Sequence, residues 1–313
     1  MRTSFLVFVL LAVAALQSVI AAKDRRDRDD QPIRSLLYPG ATTKIYARYM
    51  PWFGDSKHIN VGYYSDDPQQ IAGQVSEMMR RGIDGAIVDW YGPDHGMSSR
   101  STELLVKESE RQGFQFGISV DGGPLKDCQK KGCDLTGFLL SELKYAENHF
   151  ERSPSYIRFQ GRPVVCFFDN DKYPVDWNRI RSTLSLDPIF LFRNSVGFDN
   201  PHADGAFSWL APETAKGNDP EALQYLDNFY DKALRHPDKF AMGSVYKGFD
   251  DSRASWGSGR RIREGCQTWR DTFKVIDRHY SAKHQLPALL IVTWNDYEEG
   301  TAIENGTGCN DRD

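Results

Sequence analysis

The chain has 313 residues, 40% of them hydrophobic and 26% charged, and a formal net charge of −4. That length and composition exclude a disordered or fibrous protein and leave room for one large α/β barrel or two ordinary domains. Basic residues cluster only at Arg260, Arg261 and Arg263, which argues against a nucleic-acid partner, and no internal repeat is visible.

At the N-terminus Arg2 precedes an apolar run over 5–16, and Ala21 and Ala22 follow as small residues. This is the pattern of a secretory signal peptide covering residues 1–21. Its apolar core is shorter than the roughly 20 residues that span a bilayer, so no stable membrane insertion is expected after cleavage; an uncleaved anchor is the alternative. Residues 22–43 include KDRRDRDDQ, mixed charge without periodicity, and read as a flexible linker. The mature chain is expected as a monomer, secreted to the extracellular space or held in the lumen of the secretory pathway.

From residue 44 to 313 strand and helix signals alternate. Strands are expected over 45–50, 86–89, 116–120, 164–168, 189–192, 206–209, 241–245 and 289–293, and helices over 68–81, 102–112, 135–150, 177–184, 220–235 and 266–282. Eight such strands predict an α/β fold, a (β/α)8 TIM barrel. Two irregularities follow from chain length. Between Phe192 and Ala206 there is too little chain for a packing helix, so the fifth crossover reads as a loop through Asn200 and Pro201. After Glu304 too few residues remain for a last helix, which is missing or replaced by the N-terminal segment or a 3₁₀ turn.

The cysteines fit an exported protein. Cys128 and Cys133 flank a Lys-Lys-Gly turn and read as a local disulfide; a zinc half-site would need a second pair at that spacing, and none exists. Cys166 lies in an apolar run and reads as a buried thiol. Spacing does not decide whether Cys266 and Cys309 pair. Asn305-Gly306-Thr307 is a glycosylation sequon if the host is eukaryotic.

Most of the expected strands finish on a polar or aromatic residue. Asp89, Trp90 and Tyr91 close the second, Asp121 the third, Asp169 the fourth, Arg193 the fifth, Trp209 the sixth, Tyr246 and Lys247 the seventh. Parallel barrels place their sites at this end. Carboxylates and amides bond sugar hydroxyls there, and aromatic faces pack on sugar C–H faces. A single strand-end Asp often only caps a helix, but a whole rim of such residues points to a polyhydroxylated ligand. The eighth strand carries the densest group: 288–304 reads ALLIVTWNDYEEGTAIE, an apolar strand delivering Trp294, Asp296, Tyr297, Glu298 and Glu299. Asp296 and Glu299 converge only if the chain coils after Asp296, which Gly300 makes easy.

These segments carry a resemblance. Tyr49-Met50-Pro51-Trp52-Phe53-Gly54, Gly82-Ile83-Asp84-Gly85 leading to Asp89-Trp90-Tyr91-Gly92, and Gly248-Phe249-Asp250-Asp251 resemble glycoside hydrolase family 99, the endo-α-mannosidases. The stretch from Trp294 to Glu304 is similar both to that family and to the Trp-Asn-Asp-Tyr-Gly-Glu of family 71, the α-1,3-glucanases. The resemblance implies a glycosidase without cofactor or metal, acting on an oligosaccharide or polysaccharide. It puts Asp296 and Glu299 at the two catalytic positions, Asp296 as base and Glu299 as acid, and adds Tyr49 and Trp52 to the substrate-binding set. Glu298 matches neither family's catalytic position. Phe249 stands where the mannosidases are expected to carry Tyr, and Asp296 where they carry Glu. Two other readings stay open: a catalytically inactive glycan-binding barrel, and a metal-dependent hydrolase using Asp89, Asp121 and Asp169.

Overall fold

The protein is described by a computed structural model over residues 32–309. The expected signal peptide and the first part of the expected linker lie outside the described residues. The eight barrel strands are β1 (Lys44–Tyr49), β2 (Gly85–Trp90), β3 (Gln115–Asp121), β4 (Arg162–Phe168), β5 (Ile189–Arg193), β6 (Gly205–Phe207), β7 (Phe240–Val245) and β8 (Ala288–Ile291). They pair in parallel in the order 3-2-1-8-7-6-5-4, and β3 also pairs with β4, with Ile118 opposite Val165, so the sheet closes on itself. Strands of such a sheet are covered on both faces, which explains why β2 and β7 are buried at every position.

The helices are α1 (Pro68–Arg80), α2 (Met97–Gln112), α3 (Gly123–Lys130), α4 (Leu135–His149), α5 (Trp177–Thr183), α6 (Leu223–Arg235) and α7 (Cys266–His279). Helix α1 shows why they form. Asp67 caps it by accepting the Gln69 N–H at 2.8 Å, Pro68 opens it, and Ile71, Val75 and Met78 turn one buried stripe to the sheet. Trp177 and Trp269 likewise pack inside the helix layer.

The irregular fifth crossover is present as the 3₁₀ turn Ser195–Phe198. No helix follows β8 among the described residues. Two segments occupy the space between α1 and α7 instead. The 3₁₀ turn Ile33–Leu36 donates the Ile33 N–H to the carbonyl of Arg81, just past α1, at 2.9 Å, and the Tyr38 backbone bonds Asp277 of α7. The C-terminal segment accepts Arg81 at the Ile303 carbonyl at 2.6 Å and joins Cys309 to Cys266 by a disulfide.

This corrects the expected linker. From Pro32 onward the chain belongs to the barrel, with Ile33, Leu37 and Tyr38 buried, because apolar side chains interrupt the charged run there. The Cys128–Cys133 disulfide is formed across the expected Lys-Lys-Gly turn, and Cys128 itself lies on α3, a helix the sequence did not announce. Cys166 is a buried free thiol.

Candidate active site

The end of β8 is tied down before the chain turns. The Trp294 N–H donates to the Arg48 carbonyl at 2.7 Å. Asn295 exchanges two bonds with the Met50 backbone, at 2.8 and 2.9 Å. The chain then coils over Tyr297–Gly300, as the acidic spacing required. Asp296 Oδ1 accepts the N–H groups of Glu298 and Glu299 at 3.0 and 2.9 Å, while its carbonyl accepts those of Thr301 and Ala302, each at 3.1 Å. Gly300 supplies the left-handed residue that ends the turn, at φ 67°. This geometry sets Asp296 and Glu299 on one loop, with Asp296 2% exposed.

The two intervening acids have different fates. Glu298 is 1% exposed and accepts Trp52 Nε1–H at 3.2 Å, the Ile59 N–H at 3.2 Å and His58 Nδ1 at 2.9 Å. A carboxylate only accepts, so the His58 proton faces it. Glu298 therefore ties the loop after β1 to the turn. Glu299 Oε1 accepts the Trp256 indole N–H at 3.0 Å, and its backbone carbonyl accepts the Asp250 N–H at 2.9 Å.

Burial pushes the Asp296 carboxyl well above the ordinary range, and the charges of Glu299 and Glu298 add to it against the two N–H donors. Glu299 is raised by burial as well, opposed by the Trp256 bond and Arg260 and assisted by Asp251 and Asp89. Each carboxyl therefore holds a proton more tightly than it would in water. Asp89, buried on β2, is paired with the Arg48 guanidinium of β1. Asp121 is pushed up to about 7 by burial first and then by Asp89. Burial, then Asp89, Asp121 and Asp296, raise the Tyr91 phenol, so three carboxylates surround one ring.

Trp52 stacks on His58 with ring centroids 5.0 Å apart and meets the edge of Tyr91 at 6.0 Å. Opposite them Arg48 lies over Phe168 and Trp209, 5.3 and 5.5 Å from the rings. Arg193 pairs with Asp169, which Lys172 also reaches at 2.7 Å. Two of the three aspartates of the metal reading, Asp89 and Asp169, thus meet cations, while Asp121 accepts the Gly123 N–H at 2.6 Å; among the described residues no three His, Cys, Asp or Glu side chains could hold a metal ion.

Four residues expected to meet substrate do not reach the mouth. Side chains alternate along a strand, so Arg48 and Asp89 point inward while their neighbours Tyr49 and Trp90 turn to the helix layer. Tyr49 donates to Gln74 at 2.8 Å, and Trp90 packs on Tyr145 and Phe150. Tyr246 donates to the Glu221 carbonyl at 3.0 Å, and Trp294 lies under Arg81, 5.3 Å from its guanidinium. All four are essentially without exposed surface. Tyr297 is half-buried and donates to Glu304 at 2.7 Å; with Lys247 and Asn305 it lines a cavity of about 270 Å³.

Residues 49–306 match the sequence profile of glycosyl hydrolase family 71. The chain belongs to glycosyl hydrolase family 71. It is a glycosidase on a TIM barrel. Solved structures resemble it in fold. The family 99 endo-α-mannosidase of Bacteroides thetaiotaomicron, in complex with bis-tris propane, superposes with a TM-score of 0.64 at 18% identity, over 84% of this chain and 87% of that one. A second structure of a family 99 endo-α-mannosidase from that organism gives 0.63 at 18% identity, covering 84% and 88% of the two chains. A glycoside hydrolase-like protein gives 0.63 at 14%, covering 84% and 87%. No curated protein matches the sequence significantly.

Sequence reasoning missed three residues of this site. Arg48 left a signal, a cation inside an apolar strand. His58 and Trp256 lie in loops whose spacing carried none.

Proposed function

We propose that this family 71 glycosidase is exported and hydrolyses an α-linked glycan, α-mannan or α-glucan, with Asp296 and Glu299 as its reacting carboxylates. The observation that carries the reading is the Tyr297–Gly300 turn, which folds Asp296 over the Glu299 backbone and places the buried Asp296 carboxyl and the half-buried Glu299 carboxyl on one loop. Glu299 gives its proton to the departing glycosidic oxygen as the bond to the anomeric carbon breaks. A water attacks that carbon from the other face and gives its proton to Asp296, with inversion. Two backbone N–H donors on Oδ1 oppose the burial that raises the Asp296 carboxyl, and charge on Asp296 as it takes the proton-accepting role rests on them. Asp89, Asp121 and Arg193 supply bonds to sugar hydroxyls, and Trp52, Tyr91 and Trp209 pack against ring faces.

The expected export is supported by two disulfides. No helix among the described residues is long and apolar enough to cross a membrane.

Asp296→Asn and Glu299→Gln are each expected to lower the rate on a responsive α-glycan by about 10²–10⁴-fold. Product chromatography on a panel of α-mannans and α-glucans reads the loss. Unchanged rates for both variants on every glycan the wild type cleaves overturn the assignment. The anomer first released, followed by proton NMR, is expected to be inverted.

A further inference from the structure

Beside this cleft lies a buried carboxyl that the hydrolytic steps do not use. Glu142 of α4 is 6% exposed. Among the described residues no hydrogen-bond donor or cation faces its carboxyl, and burial alone pushes it up to about 8. Unpaired buried carboxyls cost stability, so the fold gains nothing from this one. Its Oε1 lies against the Gly92 backbone, where an added Cβ would stand 2.4 Å away. A side chain at position 92 would therefore displace Glu142.

Glu142 opens on space. With Tyr91, His95, Asp127, Lys131 and Phe138 it lines a cavity of about 490 Å³, walled on one side by Cys128 and Cys133. That volume is in the range of small-ligand sites. Tyr91 is the shared wall between cavity and cleft. One edge of its ring meets Trp52 and the other side packs on His95, with centroids 5.0 Å apart. A chain of sugars lying across Asp296 and Glu299 would continue over Tyr91 into this cavity.

We propose that the cavity is a distal subsite for a neutral hexose unit of the same glycan, with Tyr91 and His95 packed on its C–H face and Glu142 bonded to its hydroxyls. The proposal rests on the α-glycan reading above. Aromatic faces and carboxyl oxygens are the two groups that recognise a polyhydroxylated ring. Asp94 and Asp127 beside the single Lys131 make the lining unfavourable for an acidic sugar. Held protonated at neutral pH, Glu142 donates to one sugar oxygen and accepts from another.

The test compares wild type, Glu142→Leu and His95→Ala on a ladder of α-linked oligosaccharides of increasing length. Replacing an unpartnered buried carboxyl by Leu is not expected to prevent folding, and His95 is exposed. Both variants are expected to cleave the shortest responsive substrate at the wild-type kcat/KM. On the longest they lose about tenfold, the size of one lost hydrogen-bonded or stacked contact. Variants matching the wild type at every length overturn the subsite while leaving the hydrolytic reading intact. If the wild type cleaves no member of the ladder, the hydrolytic reading fails, and binding of the longest oligosaccharide, followed by calorimetry, decides the subsite. Binding lost in Glu142→Leu then supports it; no binding, or binding unchanged in the variant, overturns it.

Discussion

Arg48 is the residue whose removal tests the electrostatic account of the mouth most directly. It is 1% exposed and Asp89 5%, and its guanidinium is the cation paired with that carboxylate. Burial pushes Asp89 up, and the Arg48 charge and hydrogen bond are the largest influences pulling it down. Arg48→Met keeps an unbranched, flexible stem and removes the charge, so Asp89 is left buried beside Asp121 with no counter-ion. Breaking a buried pair from one side costs about 3–5 kcal/mol, which in a domain of this size lowers Tm by on the order of 10 °C. The double variant Arg48→Met, Asp89→Asn removes both charges and is expected to recover at least half of the loss. The single variant also enlarges a pH signature that the wild type already carries, since Asp89 is raised even beside Arg48. Its folded Asp89 binds a proton more tightly than the unfolded chain does, so stability is higher at acid pH and falls as pH rises through the elevated value. Scanning calorimetry of the three proteins at several pH values reads both effects. A single-variant loss below about 1 kcal/mol, or a double variant no more stable than the single, refutes the argument.

Three further outcomes follow. Cys266–Cys309 spans 43 residues and Cys128–Cys133 spans 5; removing the first pair is expected to cost about 4 kcal/mol and the second about 2 by loop entropy, so equal losses in denaturant titrations contradict that estimate. Asp121, pushed from 3.8 to about 7, binds its proton more tightly when folded; its stabilisation is complete below about pH 4 and is lost as pH rises to about 7, and Asp121→Asn flattens that slope unless the assignment is wrong. Asn305 is exposed within its sequon, so protein exported by a eukaryotic host is expected to carry a glycan whose mass disappears in Asn305→Gln.

The barrel was legible because its signals are periodic. Apolar runs at regular spacing, each followed by an amphipathic stripe, specify strand and helix without reference to distant contacts. Strand ends were legible as a set and ambiguous one by one. A tail such as Asp89-Trp90 puts a polar and an aromatic residue at the rim, yet only one of them can face the cleft, and the pleat decides which. Arg48 and Asp89 fix the phase of β1 and β2, and Tyr49 and Trp90 then turn outward. Knowing in advance that Arg48 pointed inward would have settled both strands. His58 and Trp256 illustrate a harder case. Each reaches the acidic turn through a loop whose path depends on contacts with Glu298 or Glu299 from more than 200 and about 40 residues away, respectively, and no local pattern encodes such a path.

The acidic turn shows how one short side chain can set both shape and charge. Asp296 accepts the N–H groups two and three residues ahead, the reach of an Asx turn, which a Glu at the same place would overshoot by a methylene. Those two bonds coil the chain so that Glu299 returns to the same loop, and they also oppose the burial that raises the Asp296 carboxyl. Shape and ionisation are thus coupled: a conformation that released the two N–H groups would uncoil the turn, separate the carboxyls and remove the main local stabilisation of charge on Asp296. Glu298, between them, is fixed by Trp52, His58 and Ile59 from the loop after β1. The wall of the cleft therefore holds the turn closed, and the two carboxyls proposed to react are positioned by residues outside the proposed proton transfers.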